Sequence, residues 1–281
     1  MKKILITGKG SYIGSSFDQW LKQWPKSYIV DSVDTRDNEW KKADFTEYDV
    51  VFHVAGLVHE KETKENAELY YFVNRDLTYE IGKTAKNSGV KQFIFLSSMS
   101  VYGKDKGIIT SNTKPEPKNN YAKSKLQAEQ LLEELIEETF KVAILRPPMV
   151  YGKGCKGNYV KLASFALKLP FFPYVKNKRS MLFIDNLSEC IKQIIDNEKE
   201  GLFFPQNSEY VCTSEMVKSI GEAHGKNIWL IRGFSFLLMK IKLNIFNKVF
   251  GTLIYDKKLS NSSDYNVASI KESIFKTELM S

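Results

Sequence analysis

The chain is predicted to be an α/β protein built on a doubly wound parallel sheet with a smaller C-terminal lobe. Three observations predict this. Short β-branched apolar runs alternate with helix-period segments through the first half. The alternation stops at Pro147-Pro148, where glycine-rich loops begin. The 281 residues, 43% of them hydrophobic, can bury one large core, or one core with an appended lobe.

The first apolar run is Ile4–Thr7, followed by a helical pattern over Ile13–Trp24 and further runs at Tyr28–Val33 and Val50–Ala55. Together these read as βαβ. A helix near Asn74–Ser88, a strand at Gln92–Ser97, a helix near Tyr121–Glu137 and a strand at Val142–Arg146 continue the pattern. Residues 1–150 are therefore expected to form one core. Beyond it come a helix near Val160–Leu169, a strand at Met181–Ile184 and a helix over Asn186–Asn197. Segment 181–197 is expected to return to the first core, and the rest of 151–281 to form the second lobe. The chain has no internal repeat, low-complexity tract or Gly/Ser linker, so the lobes should meet at a tight boundary.

A formal charge of +8 suits an acidic partner, whether nucleic acid, anionic membrane or small diphosphate. The lysines are dispersed, and a nucleic-acid face would need basic residues interleaved with exposed aromatics, which the sequence does not display, so no nucleic-acid partner is expected. The densest basic and apolar stretch, Asn227–Lys258, is broken by Arg232, Lys240, Lys242 and Lys248 too often to span a bilayer. Packed helices are expected there, with contact at a membrane surface as the alternative. Cys155, Cys190 and Cys212 are odd in number and widely separated, so neither a disulfide framework nor a metal site is expected. With no leader pattern at Met1–Thr7, the expected location is the cytoplasm.

Between the first strand and helix lies Thr7-Gly8-Lys9-Gly10-Ser11-Tyr12-Ile13-Gly14. Bare glycines at such a turn let backbone N–H groups and the helix N-terminus approach a pyrophosphate. Asp34 follows Gly14 by twenty positions (34 − 14), at the end of the next strand, where an acid bonds the ribose hydroxyls of NAD. Arg36 and Lys9 could instead hold the 2′-phosphate of NADP; of the two cofactors, NAD is favoured.

Tyr121 and Lys125 stand at i and i+4, on one face of the predicted helix. A phenol titrates near 10, too high for a base near neutrality, and a neighbouring ammonium favours its phenolate. The apolar run Phe93–Leu96 emits Ser97, Ser98 and Ser100 at its carboxyl end, the edge where open α/β sheets bind ligands. A hydroxyl there can polarise a reacting oxygen.

These motifs, in this order and spacing, resemble the extended short-chain dehydrogenases. The loop is similar to the family's Thr-Gly-x-x-Gly-x-x-Gly, with Ser11 in the middle glycine position and Gly10 one place early. The segment ending in Val101-Tyr102-Gly103 resembles the motif that carries the family's catalytic serine or threonine, which falls on Ser98. The resemblance runs from Lys2 to Leu187, more loosely through the tail, and implies a Rossmann core, a catalytic trio of Ser98, Tyr121 and Lys125, and a homodimer through the helices around Asn74 and Tyr121. It also implies that Asp44-Phe45 flank the adenine, and that Val54-Ala55-Gly56 and Asn74 scaffold the cofactor pocket. Arg146-Pro147-Pro148-Met149-Val150-Tyr151-Gly152 looks like a turn placed against the nicotinamide and substrate, with Pro148 in contact. Asn158, Arg179 and Met99 are the further substrate candidates, Arg179 because a guanidinium fork matches two phosphate oxygens. His53 and His59 are given no chemical role, although His59 could touch substrate.

The family flavour is that of bacterial polysaccharide-precursor enzymes acting on UDP-sugars. A 4,6-dehydratase of the family needs an acid pair after its catalytic hydroxyl, where this chain has Met99 and Ser100. That leaves reduction of a UDP-4-keto-6-deoxy-hexose, slightly preferred, or C4 epimerisation of a UDP-hexose or UDP-N-acetylhexosamine. The rival of another class is a noncatalytic NAD(P)-sensing regulator, against which the intact Ser98, Tyr121 and Lys125 speak.

Overall fold

The computed structural model describes residues 1–58, 62–233 and 249–279. The elements run β1 (Lys2–Thr7), α1 (Tyr12–Leu21), β2 (Tyr28–Val33), β3 (Val50–His53), α2 (Ala67–Tyr71), a π-helical turn (Phe72–Asp76), α3 (Leu77–Asn87) and β4 (Gln92–Leu96). They continue through β5 (Gly107–Ile109), α4 (Asn120–Glu133), β6 (Lys141–Leu145), β7 (Met149–Tyr151), α5 (Asn158–Lys168), β8 (Phe171–Pro173), β9 (Met181–Phe183), α6 (Ile184–Asp196) and β10 (Gly201–Phe203). Then come α7 (Thr213–Ala223), β11 (Trp229–Ile231), β12 (Leu253–Tyr255), α8 (Ser262–Tyr265) and α9 (Ile270–Leu279).

The chain divides into two compact units. One comprises residues 1–103, 114–147 and 188–204, the other residues 104–113, 148–187 and 205–281. In the first, six parallel strands stand in the order β10-β6-β4-β3-β1-β2. After β2 the chain returns past β1 to lay down β3, so the strand order reverses between β1 and β3. Ligands of open α/β sheets bind beyond the carboxyl ends of strands at such a switch point. Side-chain alternation divides the strands between two helical layers. Phe93 and Phe95 of β4 join Ile81, Ala85, Ala128 and Leu132 of α3 and α4 in one core cluster. From β3, Phe52 meets Phe17 of α1 edge to face at 5.2 Å.

Three short parallel pairs, β11-β8, β12-β5 and β7-β9, belong to the second unit. Its core includes a polar network: Tyr151 Oη and Ser273 Oγ lie 2.6 Å apart, and the Asn207 amide donates to Tyr151 Oη at 3.1 Å. Of the stretch 227–258, where packed helices are expected, Val249 and Phe250 are helical, while two short runs form strands instead. Trp229–Ile231 and Leu253–Tyr255, short aromatic and aliphatic runs, each find a strand partner whose backbone satisfies theirs. Residues 234–248, with Lys240, Lys242 and Lys248, and His59 lie outside the described residues. Among the described residues, no helix is long and apolar enough to cross a membrane.

Candidate active site

The turn after β1 lets its backbone approach a diphosphate ligand because two of its glycines sit where a side chain would clash. Gly8 has φ +118°, and a Cβ on it would stand 2.8 Å from the Ala55 amide nitrogen. A Cβ on Gly14 would meet Ser11 Oγ at 2.6 Å and Val54 Cγ2 at 3.1 Å, which pins the first turn of α1 against β1 and the loop after β3. Gly10, at φ +77°, faces open space. Ser11, standing where the family motif has glycine, caps α1 by accepting from the Gly14 amide at 3.2 Å. Tyr12 and Ile13 open that helix, the end at which a dinucleotide's negative charge is favoured. The cradle is one a pyrophosphate fits.

Asp34 follows β2 and is clasped by Arg36, whose Nε donates to both carboxylate oxygens at 3.0 and 3.1 Å. The guanidinium holds this carboxyl well below the usual carboxylate range. Arg36 is thus engaged with Asp34 itself. Asp44 caps the 3-10 turn that follows it, accepting from Thr46. Phe45 packs edge to face with Trp40 in the buried core.

The loop after β3 carries the cradle across to α4, which bears Tyr121 and Lys125. Val54 and Ala55 donate to the Thr7 carbonyl at 3.1 and 2.9 Å, and a Cβ on Gly56 would lie 3.0 Å from Asn74 Oδ1 and 3.2 Å from Lys125 Nζ. Asn74 accepts from the Leu57 amide at 2.8 Å, while its own amide donates to Ser124 Oγ at 3.2 Å. It sits in the π-turn, where the wider winding aims one buried side chain out of register, a feature frequent at functional sites. His53 lies between Thr7 and Thr78 at 2.7 and 3.0 Å, and burial lowers its pKa to about 3, so it is a neutral strut.

At the start of α4, Asn119 accepts from the Ala122 amide at 2.9 Å, and the Glu62 carboxylate receives the amides of Asn120 and Tyr121 at 3.2 and 3.1 Å. Two anchors therefore set where Tyr121 begins. Burial raises its pKa above the ordinary tyrosine value, and the nearby Ser98 hydroxyl acts in the opposite direction. Ser98 also caps the turn Met99–Tyr102, accepting from the Ser100 amide at 3.1 Å. The Met99 amide donates to the Pro147 carbonyl at 2.9 Å. One helical turn after Tyr121, Lys125 is 3% exposed, donates to the Leu96 carbonyl at 2.9 Å and lies 4.6 Å from the Phe95 ring centre. Burial pulls its pKa down to about 7.

Four residues further along α4, Glu129 takes both Nε contacts of Arg146 at 3.0 and 3.1 Å and accepts from Ser97, next to Ser98. Arg146 Nη1 donates to Tyr102 Oη at 2.8 Å. Sequence reasoning passed over Glu129 and Glu62. An acid one turn beyond Lys125, on the stripe of Tyr121, was the available signal for Glu129; Glu62 had none, because only the fold brings it to the helix end.

The second unit holds Pro148, Asn158 and Arg179. Pro148 is buried, and Asn158 is exposed at the first position of α5. Arg179 donates from Nη1 to the Gly251 carbonyl at 2.9 Å, and burial outweighs the pull of Asp105 to lower its pKa. It is a half-buried guanidinium with no carboxylate in contact among the described residues.

A tyrosine that exchanges a proton at a carbon-bound oxygen completes a redox reaction only with a hydride carrier. The dinucleotide cradle is bonded through Ala55, Gly56 and Asn74 to the Tyr121 helix. The parallel sheet with its glycine cradle is the fold of the short-chain dehydrogenase type. Comparison with known proteins gives the family: the chain belongs to the NAD dependent epimerase/dehydratase family, whose model matches residues 4–203. It is 30% identical to UDP-glucose 4-epimerase of Vibrio cholerae over 97% of this chain and 90% of that protein. It is also 30% identical to N-acetyl-α-D-glucosaminyl-diphospho-ditrans,octacis-undecaprenol 4-epimerase of Escherichia coli O157:H7, over 62% of this chain and 53% of that one. The fold matches UDP-glucuronic acid 4-epimerase from Bacillus cereus in complex with NAD, with TM-score 0.74, 18% identity and coverage of 98% and 96% of the two chains.

Proposed function

We propose that the protein interconverts epimers at C4 of a UDP-linked hexose, with NAD as its resident cofactor. The observation that carries this reading is the 30% identity to a UDP-glucose 4-epimerase along nearly the whole of both chains. The intact Ser98, Tyr121 and Lys125 support it.

Gly8, Gly10 and the first turn of α1 would hold the pyrophosphate, and Asp34 the ribose hydroxyls, with Asp44, Val54 and Ala55 at the margins. Arg36 is engaged on Asp34, so holding a 2′-phosphate would require that pair to open, which favours NAD over NADP. Bound there, the nicotinamide supplies hydride transfer to and from the sugar carbon.

Tyr121 removes the proton from the C4 hydroxyl as a base and returns it as an acid. Lys125, when protonated, favours the phenolate, and the Ser98 hydroxyl lowers the phenol's pKa against the effect of burial. Asn74 holds Gly56 and Ser124 in place and so keeps Lys125 beside the cradle. In the second unit, Arg179 suits the substrate diphosphate: a cation half removed from water with no contacting carboxylate gains most from an arriving anion. Reduction of a 4-keto sugar would use the same trio with Tyr121 acting only as acid. The relatives' 4-epimerase activities weigh against the sequence-based preference for that reaction.

The deciding experiment follows nicotinamide absorbance and product NMR with UDP-glucose, UDP-N-acetylglucosamine and a UDP-4-keto-6-deoxy-hexosamine. C4 interconversion without net loss of reduced cofactor is the expected result. Stoichiometric loss with the keto sugar establishes a reductase instead, and inactivity on all three points to the noncatalytic regulator. Tyr121→Phe should lower turnover by about three orders of magnitude while dinucleotide binding stays near the parent's, because only the proton donor is removed.

A further inference from the structure

The second unit carries an apolar face that the chemistry above leaves unused. β8 and β11 pair in parallel, with Trp229 opposite Phe171 and Ile231 opposite Pro173. Strand alternation turns Phe172 inward and leaves Phe171, Trp229 and Ile231 outward, Trp229 71% and Phe171 52% exposed. Phe165 and Leu169, one turn apart at the end of α5, are also exposed. They join the sheet through Pro170, whose carbonyl accepts from the Trp229 amide at 3.0 Å. Five large apolar side chains on one connected stretch exceed the scattered hydrophobics of an ordinary surface.

The border of this face is cationic. Lys161 and Lys168 are exposed on α5, Lys226 precedes β11 and donates to the Leu167 carbonyl, and Arg232 follows β11, stacked 5.2 Å from the Tyr174 ring centre. Aromatic rings at headgroup depth, edged by cations, are what an anionic bilayer surface recognises. A second copy of the same face would instead set like charges against one another.

We propose that this face docks the protein peripherally on an anionic lipid surface, with Phe171 and Trp229 entering the headgroup layer and Lys168 and Arg232 contacting its phosphates. The test is sedimentation with vesicles of phosphatidylglycerol and phosphatidylethanolamine, against vesicles of phosphatidylcholine alone. The protein should pellet with the anionic vesicles at low salt, be released by high salt, and stay in solution with phosphatidylcholine. Each cation at an anionic surface is worth about fivefold in partition, so K168Q/R232Q should bind about 25-fold more weakly. F171A/W229A should also lose binding, and both variants should keep the parent's turnover on soluble UDP-sugars. Parent-level binding by both variants, equal pelleting with the two vesicle types, or a parent dimer that F171A/W229A dissociates would overturn the proposal. Pelleting does not depend on turnover, so its failure and a failure of the C4 assignment are separately visible.

Discussion

Two buried cations meet α4 one helical turn apart, and the protein treats them in opposite ways. Arg146 is matched: Glu129 takes it in a two-point contact, Tyr102 accepts from it, and the carboxylate raises its pKa against the effect of burial. Lys125 has a carbonyl and an aromatic ring instead of a contacting carboxylate, and its charge becomes marginal near neutrality. The matched pair ties the end of β6, the serine run after β4 and α4 into one frame. The unmatched lysine is left sensitive to whatever charge develops beside it, which suits the phenolate partnership proposed above. A buried charge serves structure when its partner is supplied by the protein, and chemistry when the partner is left to the reaction.

The sharpest way to break this contrast is Glu129→Ala. It strands the Arg146 charge in the core and should cost about 3–5 kcal/mol in urea unfolding, with the double variant E129M/R146M recovering most of the loss. A cost below about 1 kcal/mol would mean that the pair is not a frame.

Lys125→Met should do the reverse, abolishing turnover while stabilising the fold by on the order of 3 kcal/mol at neutral pH. The unfolded chain keeps this proton up to the ordinary lysine value, whereas the folded chain releases it near 7. Between those values the unfolded state binds more protons, so the parent's stability rises with pH. The variant lacks that rise, and the gap between the two should close from pH 7 toward pH 10 in thermal scans.

Asn119→Ala tests the helix start rather than the charges. Losing the cap should cost about 1 kcal/mol, with only a small fall in kcat because Glu62 still holds the Tyr121 amide. A large fall in kcat with unchanged stability would assign Asn119 to the chemistry.

Where a signal was local, the structure follows the sequence closely. β2 falls on Tyr28–Val33 as the apolar run predicts, and the Tyr121–Lys125 spacing lies on one helix face as drawn. The helix expected near Asn74–Ser88 starts earlier, at Ala67, because the π-turn interrupts the 3.6-residue period there and hides the first turns from a periodicity reading. Trp229–Ile231 and Leu253–Tyr255 misled for a different reason: three-residue runs carry no period, and only their partners β8 and β5 make them strands.

The sequence by itself determined the parallel α/β architecture, the glycine turn with Asp34 downstream of it, and the identity and spacing of Ser98, Tyr121 and Lys125. All of these rest on short-range periodicity, glycine stereochemistry or resemblance to a family's motifs. Only the tertiary structure decided that Glu62 caps α4, that Glu129 neutralises Arg146 while Lys125 is left unmatched, and that residues 104–113 belong with the second unit. Those outcomes depend on which distant groups share a space from which water is excluded, and burial, unlike spacing, is a property of the folded whole.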